Sequence, residues 1–242
     1  MGRVRDVVRS FALLVVLTGC KDAAPRDVLA GNASADGVEV NTRRSTTMNG
    51  KVAWGGLVRN TSDRFVRGVD LGIVARAGGG TTIGQGRGHV DLLPPHYGAR
   101  LEVNGIDVSG SPSNVDVVLE HVDVAPPEER PFAWAPANVE WKKPLPEGVT
   151  FAIEKDEKCA GHLGKKGEPV VFRCVLGIRH TGTKAARNVK LVFEPARGGM
   201  PIQVKGAPSD LPIEPGDALV YYVQGQLTQP SEMILRGTAE AR

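Results

Sequence analysis

The sequence has no long apolar run, no helical apolar period and little net charge, and each absence excludes a class of protein. The apolar run at residues 11–17 is far shorter than the about 20 residues that a membrane-spanning helix needs. Beyond residue 19, no 12-residue window repeats apolar residues every 3.6 positions, which argues against a helical bundle. The net charge is +3, and removing residues 1–19 leaves 27 basic and 26 acidic residues, about +1. We therefore expect no nucleic-acid partner.

The sequence also lacks the motifs that mark common active sites. It has no Gly-x-Ser-x-Gly elbow, and its glycine-rich stretch at residues 78–88 lacks the Gly-Lys-Ser/Thr ending of a phosphate loop. That stretch is typical of a flexible hairpin connection. His89 and His96 flank Asp91, but no carboxylate pair stands at a spacing that indicates acid–base chemistry. We predict no catalytic residues, no enzyme activity and no cofactor.

The amino terminus has the pattern of an export signal. Arg3, Arg5 and Arg9 precede the short apolar run, and small residues follow it. The four residues Leu17-Thr18-Gly19-Cys20 resemble the bacterial lipobox. This resemblance implies cleavage after Gly19, lipid attachment at Cys20 and acylation of the new amino terminus. The alternative is an ordinary cleaved signal with a chance cysteine. Two or three acyl chains give durable membrane attachment, whereas one gives only marginal binding.

The predicted location is the cell envelope, with the membrane as partner through the lipid anchor. In bacteria with two membranes, Asp directly after the cysteine favours the inner membrane. This chain has Lys21, which indicates the outer membrane. The stretch 20–37 is polar, small and aperiodic after Cys20, so we predict a flexible tether there.

Short alternating strands and frequent turns predict an all-β protein. The chain has 30 Gly and 17 Pro among 242 residues, and many short Val-rich runs. Val52, Trp54, Gly56 and Val58 occupy alternate positions, as expected for a half-buried strand. With turns every 8–12 residues, this pattern favours two tandem immunoglobulin-like β-sandwiches, at residues 38–124 and 148–242.

An internal repeat supports that division. Shifting the chain by 120 residues without a gap gives about ten identities over about 45 positions. Those identities include Arg59 with Arg179, Val69 with Val189 and Leu71 with Leu191. The same shift sets Trp54 on Cys174. Two copies at this period indicate tandem domains rather than a solenoid.

Both copies carry a turn that resembles a known family. Gly56-Leu57-Val58-Arg59-Asn60-Thr61-Ser62, followed by a strand and Leu92-Leu93-Pro94-Pro95, is similar to the FxLxY-type domains of bacterial envelopes. The second copy has His180 in place of the Asn, and the first has His96 where Gly follows Pro in the family. The resemblance implies a β-sandwich, with no defined activity and no catalytic residues.

Residues 125–147 contain six prolines and the tryptophans Trp134 and Trp141, and we predict a semi-stiff linker between the copies. The tryptophans either pack on a domain edge or form an exposed binding patch.

One disulfide accounts for the cysteines left after lipidation. Cys20 is used by the lipid, and an even remainder in an exported chain predicts a bond between Cys159 and Cys174. The loop of about 15 residues would contribute about 3 kcal/mol to stability. The alternative is a Zn²⁺ or Cu⁺ site from Cys159, His162 and Cys174, with His180 as a fourth ligand. Because His180 lies six residues after Cys174, about 20 Å along an extended strand, that convergence is difficult.

The leading functional hypothesis is a non-enzymatic, lipid-anchored envelope protein that binds an envelope protein or peptide through sheet edges or end loops. One alternative is a metal-handling or redox lipoprotein that uses Cys159, His162 and Cys174. The other is a structural spacer.

Overall fold

The chain is entirely β in the part that the structure describes. The computed structural model describes residues 24–129, 139–153, 161–162, 170–195, 202–205, 211–227 and 233–241. The strands of residues 24–129 are β1 (Arg26–Asp27), β2 (Leu29–Ala30), β3 (Ala33–Ala35), β4 (Val38–Met48), β5 (Lys51–Asn60), β6 (Val66–Arg76), β7 (Thr82–Val90), β8 (Gly98–Asp107) and β9 (Asn114–Val124). The later strands are β10 (Val139–Trp141), β11 (Phe151–Ile153), β12 (Gly161–His162), β13 (Val170–His180), β14 (Ala186–Pro195), β15 (Ile202–Lys205), β16 (Ala218–Leu227) and β17 (Met233–Ala241). No helix in these ranges is long and apolar enough to cross a membrane.

Two sheets pack face to face in residues 24–129. One has the strand order β2-β9-β6-β7, and the other contains β4, β5 and β8. The alternating apolar residues of β5 and β6 point into the space between them, as the sequence predicts. Val52, Trp54 and Val58 on β5 and Leu71 and Ile73 on β6 are buried in one shared core. The all-β class and the face-to-face packing are therefore confirmed.

Glycines allow the sheets to approach closely at one side of this core. β7 turns Gly84, Gly86 and Gly88 towards β8 of the opposite sheet. A Cβ at Gly88 would lie 2.6 Å from Leu101 Cδ2, and one at Gly86 would lie 2.7 Å from Ile106 Cδ1. Real Cβ contacts are longer than that, so a side chain at Gly86 or Gly88 would displace the ends of these side chains. A Cβ at Gly84 would lie 2.4 Å from the Asp107 backbone carbonyl oxygen, so this position requires glycine while the sheets stay this close. The preceding glycines form the β6–β7 hairpin turn, where Gly79 and Gly80 have positive φ.

The predicted tether at 20–37 is wrong from β1 onward. β1 and β3 pair with β4, and β2 pairs with β9. This segment therefore contributes short edge strands to both sheets. Val28, Ala30 and Ala33 pack against the core. The polar composition misled the prediction because β2 and β3 each place only one small apolar side chain, Ala30 and Ala33, against the core, and β1 places none. Leu17–Cys20 lie outside the described residues.

The strands repeat at the predicted period of 120 residues. β8 (Gly98–Asp107) corresponds to β16 (Ala218–Leu227) with the same bounds after the shift, and β6 and β14 both begin at corresponding residues. Both copies also carry a register irregularity early in the strand, between Val66 and Gly68 and between Arg187 and Lys190. The repeat therefore preserves strand ends and a bulge as well as sequence identities.

The two copies are joined by a packed and hydrogen-bonded interface. β8 and β16 pair in parallel at Gly98 and Leu219, so the larger sheet continues with the order β1-β4-β5-β8-β16-β15-β14-β17-β10. β3 adds to β4, and β13, which carries β11 and β12, adds to β16. Val175 and Val220 of the second copy belong to the first core, and Leu57 of the first copy belongs to the second core.

Polar side chains cross the same interface. Arg100 donates from Nη1 to the Leu211 carbonyl at 2.6 Å and from Nη2 to the Tyr221 hydroxyl at 3.2 Å. The Tyr222 hydroxyl donates to the Leu92 carbonyl. Burial raises the pKa of both tyrosines, which keeps the two hydroxyls neutral, Tyr221 as the acceptor from Arg100 and Tyr222 as the donor to Leu92.

The predicted linker at 125–147 is part of the fold at both of its described ends. Ala125 is buried and donates its N–H to the Phe65 carbonyl. Val139–Trp141 forms β10, parallel to β17, so the second copy begins earlier than the predicted residue 148. Trp141 stacks on Phe151 with ring centroids 5.5 Å apart, in agreement with packing on a domain edge. Trp134 and Cys159 lie outside the described residues.

Candidate functional site

The candidate site is a shallow charged groove on the outer face of the four-stranded sheet. β6 is the middle of three neighbouring strands, with β7 on one side and β9 on the other. Because strand side chains alternate between faces, the residues between the buried apolar positions point outward. The groove has a volume of about 420 Å³. Its lining residues are Asp70, Leu71, Arg87, Gly88, His89, Glu120 and His121.

Asp70 occupies the centre of one row across the three strands. The pairing register sets His89 opposite it on β7 and His121 opposite it on β9. His89 Nδ1 lies 2.7 Å from Asp70 Oδ1, and His89 Nε2 lies 3.4 Å from a carboxylate oxygen of Asp91. Both ring nitrogens of His89 therefore face carboxylates.

These carboxylates favour the charged form of His89. The hydrogen bond to Asp70 is the largest cause that raises the pKa of His89 above its ordinary value, partial desolvation opposes it, and the charge of Asp91 adds to it. A histidine with both nitrogens engaged this way acts as a positive charge in a hydrogen-bonding row. It is poorly suited to take a proton from a substrate, because neither nitrogen is left as an acceptor.

The next row is built around a glycine. Gly72 pairs with Arg87 on β7, and a register irregularity in β9 beside Asp70 and Leu71 brings Glu120 over it. A Cβ at Gly72 would lie 2.8 Å from Glu120 Oε1. Glu120 reaches across this gap so that its Oε2 lies 3.4 Å from Arg87 Nε. The missing side chain thus makes the depression and lets one ion pair span the middle strand.

The groove presents both signs of charge at fixed positions. Asp70 and Glu120 contribute carboxylates, and Arg87 and His89 contribute donors. Arg87 is the most accessible of them, with 83% of its side chain exposed. Such a row can pair with a segment that carries acidic and basic groups, because each groove charge can exchange a protein partner for a ligand partner.

Sequence reasoning placed only His89 and Asp91 near chemistry and interpreted them as chance residues near turns. It missed Asp70, Arg87, Glu120 and His121. The sequence feature that could have brought Asp70 and Arg87 together with His89 is the β6–β7 hairpin. With the turn at 78–80 recognised, counting outward along β6 and β7 pairs residue 70 with residue 88, and the register irregularity between Ala75 and Arg76 moves the partner to His89. The β9 partners require the long connection through β8.

His96 and the loop serines Ser109 and Ser113 lie away from this groove. His96 Nε2 lies 2.9 Å from Asp63 Oδ1 at the opposite end of the sandwich from the β6–β7 turn. Ser109 and Ser113 satisfy loop carbonyls, donating to Ile83 O and Arg76 O. The structure does not bring these serines to the histidines.

His180 has a structural role that sequence reasoning did not anticipate. In the first copy, the buried Asn60 accepts from the Ser62 N–H at 3.0 Å and donates from Nδ2 to the Arg64 carbonyl at 2.7 Å. In the second copy, His180 Nδ1 accepts from the Gly182 N–H at 3.0 Å, and Nε2 lies 2.7 Å from the Lys184 carbonyl. These partners match after the shift of 120.

The alternative of a Zn²⁺ or Cu⁺ site loses His180 as its fourth ligand, because both ring nitrogens of His180 are engaged within its own turn. The backbone of β13 carries Cys174 at the position of Trp54, and His162 pairs with Val171. Within the described residues, no three His, Cys, Asp or Glu side chains form a group that could hold a metal ion.

No protein-family model and no curated protein matches the sequence. Among solved structures, red sea bream transglutaminase is similar to this chain at 10% identity and a TM-score of 0.24. The match covers 86% of this chain and 31% of that one, so the chain spans under a third of the transglutaminase. At this TM-score the likeness carries no argument about fold or activity.

Proposed function

We propose that this chain is a non-enzymatic, lipid-anchored cell-envelope protein whose two tandem immunoglobulin-like β-sandwiches form a binding module. The groove on the four-stranded sheet is its contact surface, and the row His89–Asp70 beside the pair Arg87–Glu120 is the observation that supports binding. The partner is an envelope protein or peptide segment that carries both acidic and basic groups.

The anchor in this proposal is Cys20, in the lipobox-like sequence Leu17–Cys20, and the location is the outer membrane where the organism has two. The repeat of strand ends at 120 residues supports the tandem organisation. The matched turns at Asn60 and His180 support the resemblance to FxLxY-type domains, since both residues bond the same two backbone positions.

The geometry favours binding over catalysis at this groove. His89 is engaged by two carboxylates and its charged form is favoured, so it contributes a fixed positive charge to the groove and does not serve as a base. Arg87 has a planar, well-exposed guanidinium that suits a carboxylate partner. Fixed charges of both signs also reject segments of uniform charge, which gives specificity at modest affinity.

The disulfide between Cys159 and Cys174 remains part of the proposal. Gly161 and Phe172, which lie two residues after Cys159 and two before Cys174, are an antiparallel pair. A ladder continued from that pair would set the two cysteines opposite each other. Directly opposed residues have Cα atoms about 4.5–5.5 Å apart, within the range that a disulfide requires.

The test compares capture by wild type, Arg87→Ala and Lys51→Ala from a solubilised envelope extract with quantitative mass spectrometry. Lys51 is a matched control because it is also basic, exposed and ion-paired, with Asp107 at 2.6 Å. We expect a reproducible partner that Arg87→Ala loses and Lys51→Ala retains, with affinity falling as salt rises. Equal capture by all three would reject the groove, and no reproducible partner would favour the structural-spacer alternative.

A further inference from the structure

One end of the first copy consists of three loops without a charged residue. They are the β4–β5 turn (48–50, Met-Asn-Gly), the β6–β7 turn (77–81, Ala-Gly-Gly-Gly-Thr) and the β8–β9 loop (108–113, Val-Ser-Gly-Ser-Pro-Ser), together called the uncharged end. Backbone hydrogen bonds tie this end together. Val108 N donates to Gly50 O, Ser109 N to Ile83 O, and Ser113 N to Arg76 O, at 2.7–2.9 Å.

The opposite end of the same sandwich is charged. Its loops at 61–65, 91–97 and 125–129 carry Asp63, Arg64, Asp91, Glu128 and Glu129. Around the uncharged end, Lys51 pairs with Asp107 and Arg76 pairs with Asp116. β1 adds the exposed Arg26 and Asp27 beside the β4–β5 turn. The two ends of one domain therefore differ sharply in polarity.

Exposed apolar side chains concentrate at the uncharged end. Among the described residues, the exposed large hydrophobics are Leu29 at 81%, Met48 at 44% and Val118 at 44%. Met48 opens the β4–β5 turn, and Leu29 pairs with Asn114, directly after the β8–β9 loop. Val118 lies in the middle of β9 on the sheet face.

The described part of the chain starts at this same end. Arg26, the first residue of β1, pairs with Thr47 beside the β4–β5 turn. Only six residue steps separate position 20 from position 26, a maximum reach of about 20 Å. The second copy contacts the start of β8 at Gly98, whereas the uncharged end follows its last residue, Asp107.

From these observations we infer that the uncharged end rests on the lipid bilayer, with Leu29 and Met48 in its interfacial layer. The inference rests on the proposed lipid anchor at Cys20. Loops without charge avoid the cost of dehydrating ions at the membrane surface. Apolar side chains gain by entering the interface, and the exposed Arg26 adds attraction to anionic lipid. The charged loops and the second copy then point away from the membrane.

The test uses the acylated full-length mature protein in vesicles of phosphatidylethanolamine and phosphatidylglycerol that contain nitroxide-labelled lipid. A fluorophore is attached at Ser111→Cys in the uncharged end or at Glu128→Cys at the charged end, with labelled wild type as the blank for native thiols. β9 separates these positions by about 35 Å at about 3.3 Å per residue. We expect the lipid nitroxide to quench the Ser111 probe and leave the Glu128 probe bright.

Two further arms separate the possible failures. Flotation and intact mass report the anchor: if the protein neither floats with vesicles nor carries acyl groups, the anchor and the orientation both fail. If it floats but the two probes are quenched equally, only the orientation is overturned.

Surface variants test the apolar contact. Leu29→Asp with Met48→Asp should abolish the extra quenching at Ser111 while flotation persists, and Val118→Asp, equally exposed as Met48, should leave it unchanged. Unchanged quenching in the double variant overturns the inference. So does concentration-dependent dimerisation of Cys20→Ser protein that the double variant abolishes, because a second copy would then occupy this end.

Discussion

The turn residues Asn60 and His180 should be partly interchangeable, because the two side chains bond equivalent backbone groups. Asn60 is fully buried and makes hydrogen bonds to Ser62 N, Ser62 Oγ, Arg64 O and Leu93 O, between 2.7 and 3.1 Å. Asn60→Ala removes all four. With a net loss of about 0.5–1.5 kcal/mol per bond, we expect about 3 kcal/mol of destabilisation.

The swap Asn60→His should cost much less. A histidine there can accept from Ser62 N through Nδ1 and donate to Arg64 O through Nε2, as His180 does with Gly182 N and Lys184 O. It gives up the contacts to Ser62 Oγ and Leu93 O, so we expect about 1 kcal/mol of destabilisation. The reverse change, His180→Asn, should cost about the same, and His180→Ala more.

Thermal unfolding of Cys20→Ser protein measures the series. For a chain of this size, 1 kcal/mol corresponds to about 2–4 °C in Tm, so Asn60→Ala should lower Tm by about 6–12 °C and Asn60→His by a third of that. If Asn60→His is as damaging as Asn60→Ala, the shared role is refuted. Thr61→Ala, an exposed neighbour with one side-chain bond to Gly37 O, serves as the control.

Three further predictions concern other parts of the chain. Non-reducing intact mass should show mature protein two hydrogens lighter than its reduced form, and Cys174→Ser should lose about 3 kcal/mol of stability; free thiols at both positions would contradict the disulfide. Asp70→Asn should return the pKa of His89 towards its ordinary 6.5 in an NMR titration. Since the folded-state pKa is raised, the His89–Asp70 pair stabilises the fold below pH 6.5 and this gain is lost as pH rises through the folded value; no change in Asp70→Asn would reject the pair. Arg100→Ala should destabilise the chain by about 2–3 kcal/mol in urea, because the groups it bonds lose a charged donor at the interface, whereas under 0.5 kcal/mol would show that apolar contacts alone hold the interface.

Period-two alternation made the central strands predictable. β5 and β6 bury alternate residues because each lies within a sheet with one face on the core. The repeat shift also predicted β13, β14 and β16 well, because strand ends follow the same turn chemistry in both copies. Edge strands were the failure: β1, β2 and β3 each have only two or three residues, too few for a period to show.

Compensating substitutions hid part of the equivalence between the copies. In the first copy, Gly56 leaves room for the ring of Trp54, since a Cβ there would lie 2.6 Å from its Cζ2. In the second copy, the matching positions hold Leu176 and Cys174. Leu176 is buried at the position where the first copy has Gly56, and a comparison of single positions does not reveal how such exchanges are related.

The groove was beyond sequence reasoning for a different reason. Asp70 and His89 lie 19 residues apart within one hairpin, but Glu120 reaches Arg87 only because β9 returns beside β6 after β8 crosses to the other sheet. That return is a tertiary event. In the sequence, Gly72 looks like any other glycine in a strand, and nothing there shows that Glu120 occupies the space beside it.

The exchange of core residues between the copies has a consequence for how the protein can be divided. Val175 and Val220 complete the first core, and Leu57 completes the second. A chain cut between the copies would expose apolar surface on each half. It would also leave the Arg100 guanidinium without its acceptors across the interface. The two copies are similar in sequence, but this shared packing makes the stability of each depend on the other. We therefore expect both copies to unfold in one transition. Neither copy should fold stably when it is transferred alone into another protein.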